Sequence, residues 1–189
     1  MKKIILALGL LGLLTGCAAP ARVGAMTVES APATLVSATS PLKNSVAMGT
    51  VTGGQKTDPL WTSEVGNPEF TEALRNSLDV NTMLSKTPNR YRLDAKLIKV
   101  KQPFAGFDMT VTTTVQYTLT ETGSNKTAFD KTIVSEFTAG VGDAFVAVKR
   151  LRLANEGSIK KNITMFLEQL VASFKTPGNA PTPPGKPVS

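Results

Sequence analysis

Histidine is absent from the 189 residues, and cysteine occurs once, at Cys17. Without an imidazole, the usual general base, the His-dependent triads and every His-ligated metal site are excluded. A lone thiol permits no intrachain disulfide, so the folded part must hold by its core. No apolar run reaches the roughly 20 residues that a spanning helix needs. Gly53 and Gly54 precede no helix within a few residues and lack the Walker lysine, which leaves no phosphate cradle. Ser40 with Lys43, and Ser158 with Lys161, have S-x-x-K spacing, but the partner motifs S-D-N and K-T-G are missing. The carboxylates form no close pair in sequence. These absences together predict a protein that is not an enzyme and needs no metal or cofactor.

What is present begins at the N-terminus. Lys2 and Lys3 precede an apolar run from Ile4 to Leu14, followed by Thr15, Gly16 and Cys17. A run about half the spanning length, with basic residues before it and small residues after it, has the form of a cleaved export signal, placed at residues 1–16. Leu14, Thr15, Gly16 and Cys17 resemble the lipobox of bacterial lipoproteins. The resemblance implies that the Cys17 thiol takes a diacylglyceryl group and becomes the mature N-terminus, with the membrane as a partner through that lipid. Two or more acyl chains suffice for stable anchoring. Ala18 follows the cysteine where inner-membrane retention in enteric-type bacteria uses aspartate, so the resemblance implies the periplasmic face of the outer membrane.

Charge is moderately basic: loss of Lys2 and Lys3 with the leader takes the formal net charge from +7 to +5. That balance suits anionic headgroups, lipopolysaccharide phosphates or an acidic protein surface, and equally an ordinary solvated surface. No basic cluster is interleaved with aromatics, so nucleic acid is not an expected partner.

The remaining chain divides by composition. Residues 17–40, rich in Ala, Ser, Thr and Pro, read as a lipidated flexible tether. Residues 176–189, with Pro177, Pro181, Pro183, Pro184 and Pro187, read as an extended or disordered tail. Residues 41–175 are then one domain of usual size. Ser45 to Thr52 is a first strand. A long loop from Gly53 to Gly66 follows and holds the lone Trp61. Asn67, Pro68 and Glu69 form a helix start with Asn67 as the cap, and the periodicity of Phe70, Ala73, Leu74, Leu78 and Leu84 carries the helix to about Leu84. Alternation marks strands at Tyr91 to Lys101, Met109 to Thr120 and about Ala128 to Thr138. Met109, Val111, Thr113, Val115, Tyr117 and Leu119 share one face of the middle strand. An amphipathic helix then runs from about Asp143 to Phe174, with Arg152, Glu156 and Lys160 assigned to its polar face and Gly157 marking close packing or a break.

The order strand, helix, three strands, helix predicts an α+β two-layer sandwich: an antiparallel sheet of about four strands with two helices on one face. In element order and lipobox the chain resembles the periplasmic part of the curli-secretion lipoprotein, the lipopolysaccharide-transport lipoprotein and the amino-terminal domain of the Tol–Pal propeller protein. A shared fold of this kind does not carry function. Two functional classes are weighed, the first preferred, with an envelope hydrolase or transferase as a lesser alternative. One is a non-catalytic accessory lipoprotein that docks on an envelope protein through a strand edge or a helix face. The other is a carrier or sensor of lipid or glycan, with Trp61, Phe104 and Phe107 at the mouth of a groove between sheet and helices. Phe104 and Phe107, beside Pro103 and Gly106, either grip a partner or cap the core, and the second reading is preferred. Arg150 and Arg152, with Asn155 and Glu156, form either a structural network or a docking patch.

Overall fold

The computed structural model describes residues 18–30, 32–34, 36–58, 62–86 and 90–175. Cys17, Trp61 and the tail at 176–189 lie outside the described residues. The elements in chain order are α1 (Val23–Met26), a single 3₁₀ turn at Pro32–Thr34, β1 (Val46–Thr52), α2 (Asn67–Val80), β2 (Tyr91–Lys101), β3 (Met109–Glu121), β4 (Thr127–Ala139) and α3 (Ala147–Lys175).

The strands follow the two-residue period of their side chains. In β3 every second residue from Met109 to Leu119 is buried and the threonines between them are half-exposed, so one face meets the core and the other meets water. The sheet order is β1-β2-β3-β4. The α+β two-layer architecture stands, but the sheet is mixed. The pairs β2–β3 and β3–β4 are antiparallel, while β1 runs parallel to β2, with Val46 opposite Tyr91 and Thr52 opposite Lys96. The reason is α2, a crossover that returns the chain to the end where β1 began, as a parallel pair requires. A register shift interrupts β1 between Met48 and Val51. There the Asp94 carboxylate accepts the Thr50 N–H at 2.7 Å, and a Cβ on Gly49 would collide with that carboxylate.

Both long helices lie on one face. Phe70, Leu74 and Leu78 of α2 and Ile163, Phe166 and Leu170 of α3 share a core with Leu93, Leu97, Tyr117 and Phe129 of the sheet. Tyr117 stacks on Phe166 with centroids 4.1 Å apart, and Phe129 meets the same ring edge-on at 5.8 Å. The helix α2 stops at Val80, not Leu84, because Thr82 takes a left-handed backbone (φ 58°) and Leu84 turns away to bridge Val46. Its N-cap is Gly66. Asn67 is instead the first helical residue, and its Oδ1 accepts the Gly54 N–H at 2.7 Å. Helix α3 starts at Ala147, four residues later than its periodicity suggests, since Gly140 donates to Asp143 Oδ2 at 2.8 Å and closes a turn there. Gly157 marks close packing: a Cβ would lie 2.5 Å from Cγ of the Phe137 ring.

The largest departure from expectation is at 18–30, which is not a free tether. Ala18, Ala21, Met26 and Val28 are buried, and α1 packs against both α2 and α3. Met26 and Val28 of this strap join the main apolar core, and polar fixings add to that packing. The Val28 N–H donates to Ser77 Oγ at 2.9 Å, Asn81 Nδ2 donates to Val28 O at 3.4 Å, and Thr34 Oγ1 donates to Asn81 Oδ1 at 2.5 Å. Arg22 binds Glu156 through its backbone N–H (2.8 Å), Nε (3.0 Å) and Nη2 (2.9 Å). Glu156 is therefore a buried acceptor for the strap and not part of a solvent face.

Candidate functional site

Polar residues gather at two places in the molecule. The first is a buried seam between α3 and the β3–β4 hairpin. Tyr117 donates to Asn162 Oδ1 at 2.9 Å, and Asn162 Nδ2 donates to Ile133 O at 3.0 Å and to Ser135 Oγ at 3.1 Å. Ser158 and Thr113 hydroxyls lie 3.0 Å apart, and Ser135 Oγ donates to Ser158 O at 2.8 Å. Burial pushes the Tyr117 phenol well above its usual pKa. Every hydroxyl and amide named here has a partner, which makes the seam a device for fixing the register of α3 on the sheet. Ser158 is thus bonded within the core, and Lys161, its S-x-x-K companion, points out and donates to Glu136 O at 3.3 Å.

The second place is the end of the molecule where β1 and β2 finish, β3 begins, β4 finishes and both long helices start. Ser63 is its hub. Its hydroxyl donates to Ala19 O at 2.7 Å, while its carbonyl accepts from Asn155 Nδ2 at 2.7 Å and Gln102 Nε2 at 2.9 Å. One residue thereby joins the start of the strap, helix α3 and the loop after β2. Gln102 Nε2 also lies 3.2 Å from Glu64 Oε2. Burial raises the pKa of Glu64, against smaller opposing effects of Thr62 and Gln102.

Beyond that hub the β2–β3 loop and the β4–α3 loop are held together by Arg150. Its Nη1 donates to Ala144 O at 2.8 Å and Phe145 O at 2.7 Å, and its Nη2 to Gly106 O at 3.3 Å. Arg150 is buried, so it supports the loops and offers no docking charge. Arg152 is mostly covered and sits 3.6 Å from Glu156 Oε1. Both arginines are structural, as is Asn155. Phe104 and Phe107 do not cap the core. They are 106% and 85% exposed, and Phe145 and Val146 of the neighbouring loop are 90% and 53% exposed. Phe145 had no periodic signal to single it out. Arg150 holds the backbone carbonyl of Phe145 while the Phe145 ring stays exposed.

Between sheet and helices lie the buried side chains of the core described above. A cavity of about 460 Å³ lies elsewhere, lined by Ala18, Pro20, Gly54, Lys56, Asn67 and Pro68 among others. At the edge of the sheet, β4 pairs only with β3 among the described residues; Val134, 55% exposed, is on the face away from the helices, whereas Phe137, 41% exposed, is on the helix face beside Gly157. No group of His, Cys, Asp or Glu that could hold a metal ion occurs among the described residues, and no helix among them is long and apolar enough to cross a membrane.

Comparison with known proteins places this arrangement in a class by fold. A DUF330-family protein from Xanthomonas campestris superposes with TM-score 0.55 at 8% identity, over 75% of this chain and 91% of that one. A candidate lipoprotein from Caulobacter crescentus gives TM-score 0.52 at 13% identity, over 74% of this chain and 95% of that one. At such identities the likeness shows the fold alone, a lipoprotein-type α+β domain. No family model matches the chain, and neither does any curated protein sequence.

Proposed function

We propose that the chain is a lipid-anchored, non-catalytic accessory lipoprotein that binds a protein partner at the periplasmic face of the outer membrane. The observation that carries this reading is a buried apolar core beside a sheet edge, β4, that is unpaired among the described residues. Among the described residues packed apolar side chains occupy the sheet–helix layer, which disfavours the carrier reading, whereas β4 pairs on one side only and carries the exposed Val134 beside its open edge. An extended segment of a partner can add to such an edge, with main-chain hydrogen bonds for affinity and side-chain contacts for specificity. The lipobox-like Leu14–Cys17 supplies the membrane address, and the fold shared with the Caulobacter lipoprotein supports it.

A photoreactive residue at Val134, introduced in intact cells, tests the partner. We expect one discrete adduct with an envelope protein, and none from Glu72 on the exposed face of α2. Absence of an adduct at the edge would remove the protein-partner reading. Cys17→Ser tests the address: it should accumulate as an unprocessed or released form. A mature, membrane-bound mutant would refute lipidation. Turnover of a peptidoglycan or lipid substrate by the purified protein, lost on one Asp, Glu or Ser substitution, would overturn the non-catalytic assignment.

A further inference from the structure

Phe104, Phe107 and Phe145 are the three most exposed large apolar side chains among the described residues, and they belong to two loops at one end of the molecule. Three such exposed rings on two loops joined by one arginine are unusual for a surface that meets only water. Nor are they loosely held, since the buried Arg150 guanidinium binds backbone carbonyls of both loops.

The start of the described chain is at the same end. Gln102, two residues before Phe104, and Ala19 both bind Ser63. Ala18 is buried against the domain, and Cys17 precedes it by one Cα step of about 3.8 Å. If Cys17 carries lipid, no slack separates the acyl chains from this end, and the rings are brought to the bilayer with it. Charge at the loops is balanced, with exposed Lys101 and Lys149 against exposed Asp108 and Asp143, so the surface is suited to an apolar interface and not to anionic headgroups in particular.

We infer that the loop end bearing Phe104, Phe107, Phe145 and Val146 is a membrane-seating surface: the rings enter the headgroup–acyl boundary beside the lipid on Cys17 and fix the domain's orientation. The inference rests on the lipobox reading, adding to it a second, non-covalent contact with the bilayer.

The test uses the full chain expressed in bacteria and reconstituted in phosphatidylethanolamine–phosphatidylglycerol vesicles. Single cysteines replace Phe104, Phe145 or, at the opposite end, Ser124. Each is labelled with bimane, the native thiol being consumed by lipid. Mass spectrometry first establishes whether Cys17 is acylated. An unmodified Cys17 refutes the lipobox reading and the seating surface with it. On acylated protein, bimane at Phe104→Cys and Phe145→Cys should shift to shorter wavelength and be quenched by doxyl-labelled lipid, and bimane at Ser124→Cys should not. The thermal midpoints of the variants should match wild type, because the rings are exposed. Acylated protein with no quenching at 104 and 145 overturns the seating surface while leaving the anchor intact. No quenching in vesicles, together with labels shielded in cells, would assign the patch to a protein instead.

Discussion

Replacing Arg22 with alanine probes the strap that turns a presumed tether into part of the domain. The substitution removes two of the three hydrogen bonds to Glu156 and leaves only the backbone N–H at 2.8 Å and Arg152 Nε at 3.6 Å beside it. The Glu156 side chain is 3% exposed, but that of Arg22 is 57% exposed. Hydrogen bonds to charged groups contribute about 1.5–3 kcal/mol each when buried, while exposed pairs contribute about 0.2–1 kcal/mol. With one partner in each regime, the pair of bonds should be worth about 1–3 kcal/mol. Urea unfolding reads this as a lowered midpoint at constant m. A cycle with Glu156→Ala should show coupling of the same size, because the double mutant no longer strands a buried carboxylate. Hydrogen exchange should locate the loss, with amides near Arg22 opening first and those around Val28 still held through Ser77. If amides 18–30 of the wild type exchange like a free chain, or if Arg22→Ala changes stability by less than about 0.3 kcal/mol, the strap is not a structural element.

Three further outcomes are expected. Val115→Asp puts an unpaired carboxylate into the core and should cost several kcal/mol, of order 3 or more, whereas Thr114→Asp on the wet face should cost little; equal unfolding midpoints would contradict the register of β3. Gly157→Ala should destabilise the protein because its Cβ meets the Phe137 ring, yet in a Phe137→Ala background the same change should stabilise by up to about 1 kcal/mol through helix propensity; an unchanged sign would show that the ring is not what forbids the side chain. Burial raises the pKa of Glu64 above its ordinary 4.5, so the folded state favours the protonated form. Its contribution is fully present below pH 4.5 and is lost as pH rises through the elevated folded value. Glu64→Gln should therefore match wild type in acid and exceed it in stability at neutral pH, as denaturant titrations at two pH values would show.

Strands were legible because a half-buried strand writes its environment into every second residue: β2 begins and ends where the alternation of Tyr91, Leu93, Ala95 and Leu97 places it, and β3 and β4 differ by a residue at their ends. Direction was not, since Ser45 to Thr52 has the same composition whichever way it runs beside β2. The cue lay in the intervening helix, which permits the parallel crossover. The strap was illegible for a different reason. Its buried residues Ala18, Ala21, Met26 and Val28 form no periodic run, and the residues that bond the strap, Ser77, Asn81 and Glu156, are far away in sequence. In the site, Arg150 and Arg152 could be flagged as polar residues amid apolar neighbours, but what they meet needed the fold: the carbonyls of Ala144, Phe145 and Gly106 for Arg150, and Glu156 for Arg152. The exposure of Phe104 and Phe107 was a choice between two readings that only the placement of their loop decides.

On the proposed reading, strap, anchor and edge have a joint consequence for how a partner is met. A free tether of about two dozen residues would have a reach of roughly 25–30 Å and leave orientation random. Instead the chain enters the fold within a residue of Cys17, and β4 runs from the turn at Gly123–Asn125 toward the loop end at Ala139. With that end seated on a bilayer, the open edge stands away from the surface for roughly 40 Å, 13 residues at about 3.3 Å each. A partner adding a strand there is then presented in one direction relative to the membrane. The gain proposed over a tether is in orientation: each encounter would find the edge already positioned, with the entropy of ordering the domain lost at anchoring, not at binding. Loosening the strap by Arg22→Ala should therefore weaken edge adducts at Val134 in cells while leaving Cys17 acylation unchanged, and equal adduct yields would show that orientation does not contribute.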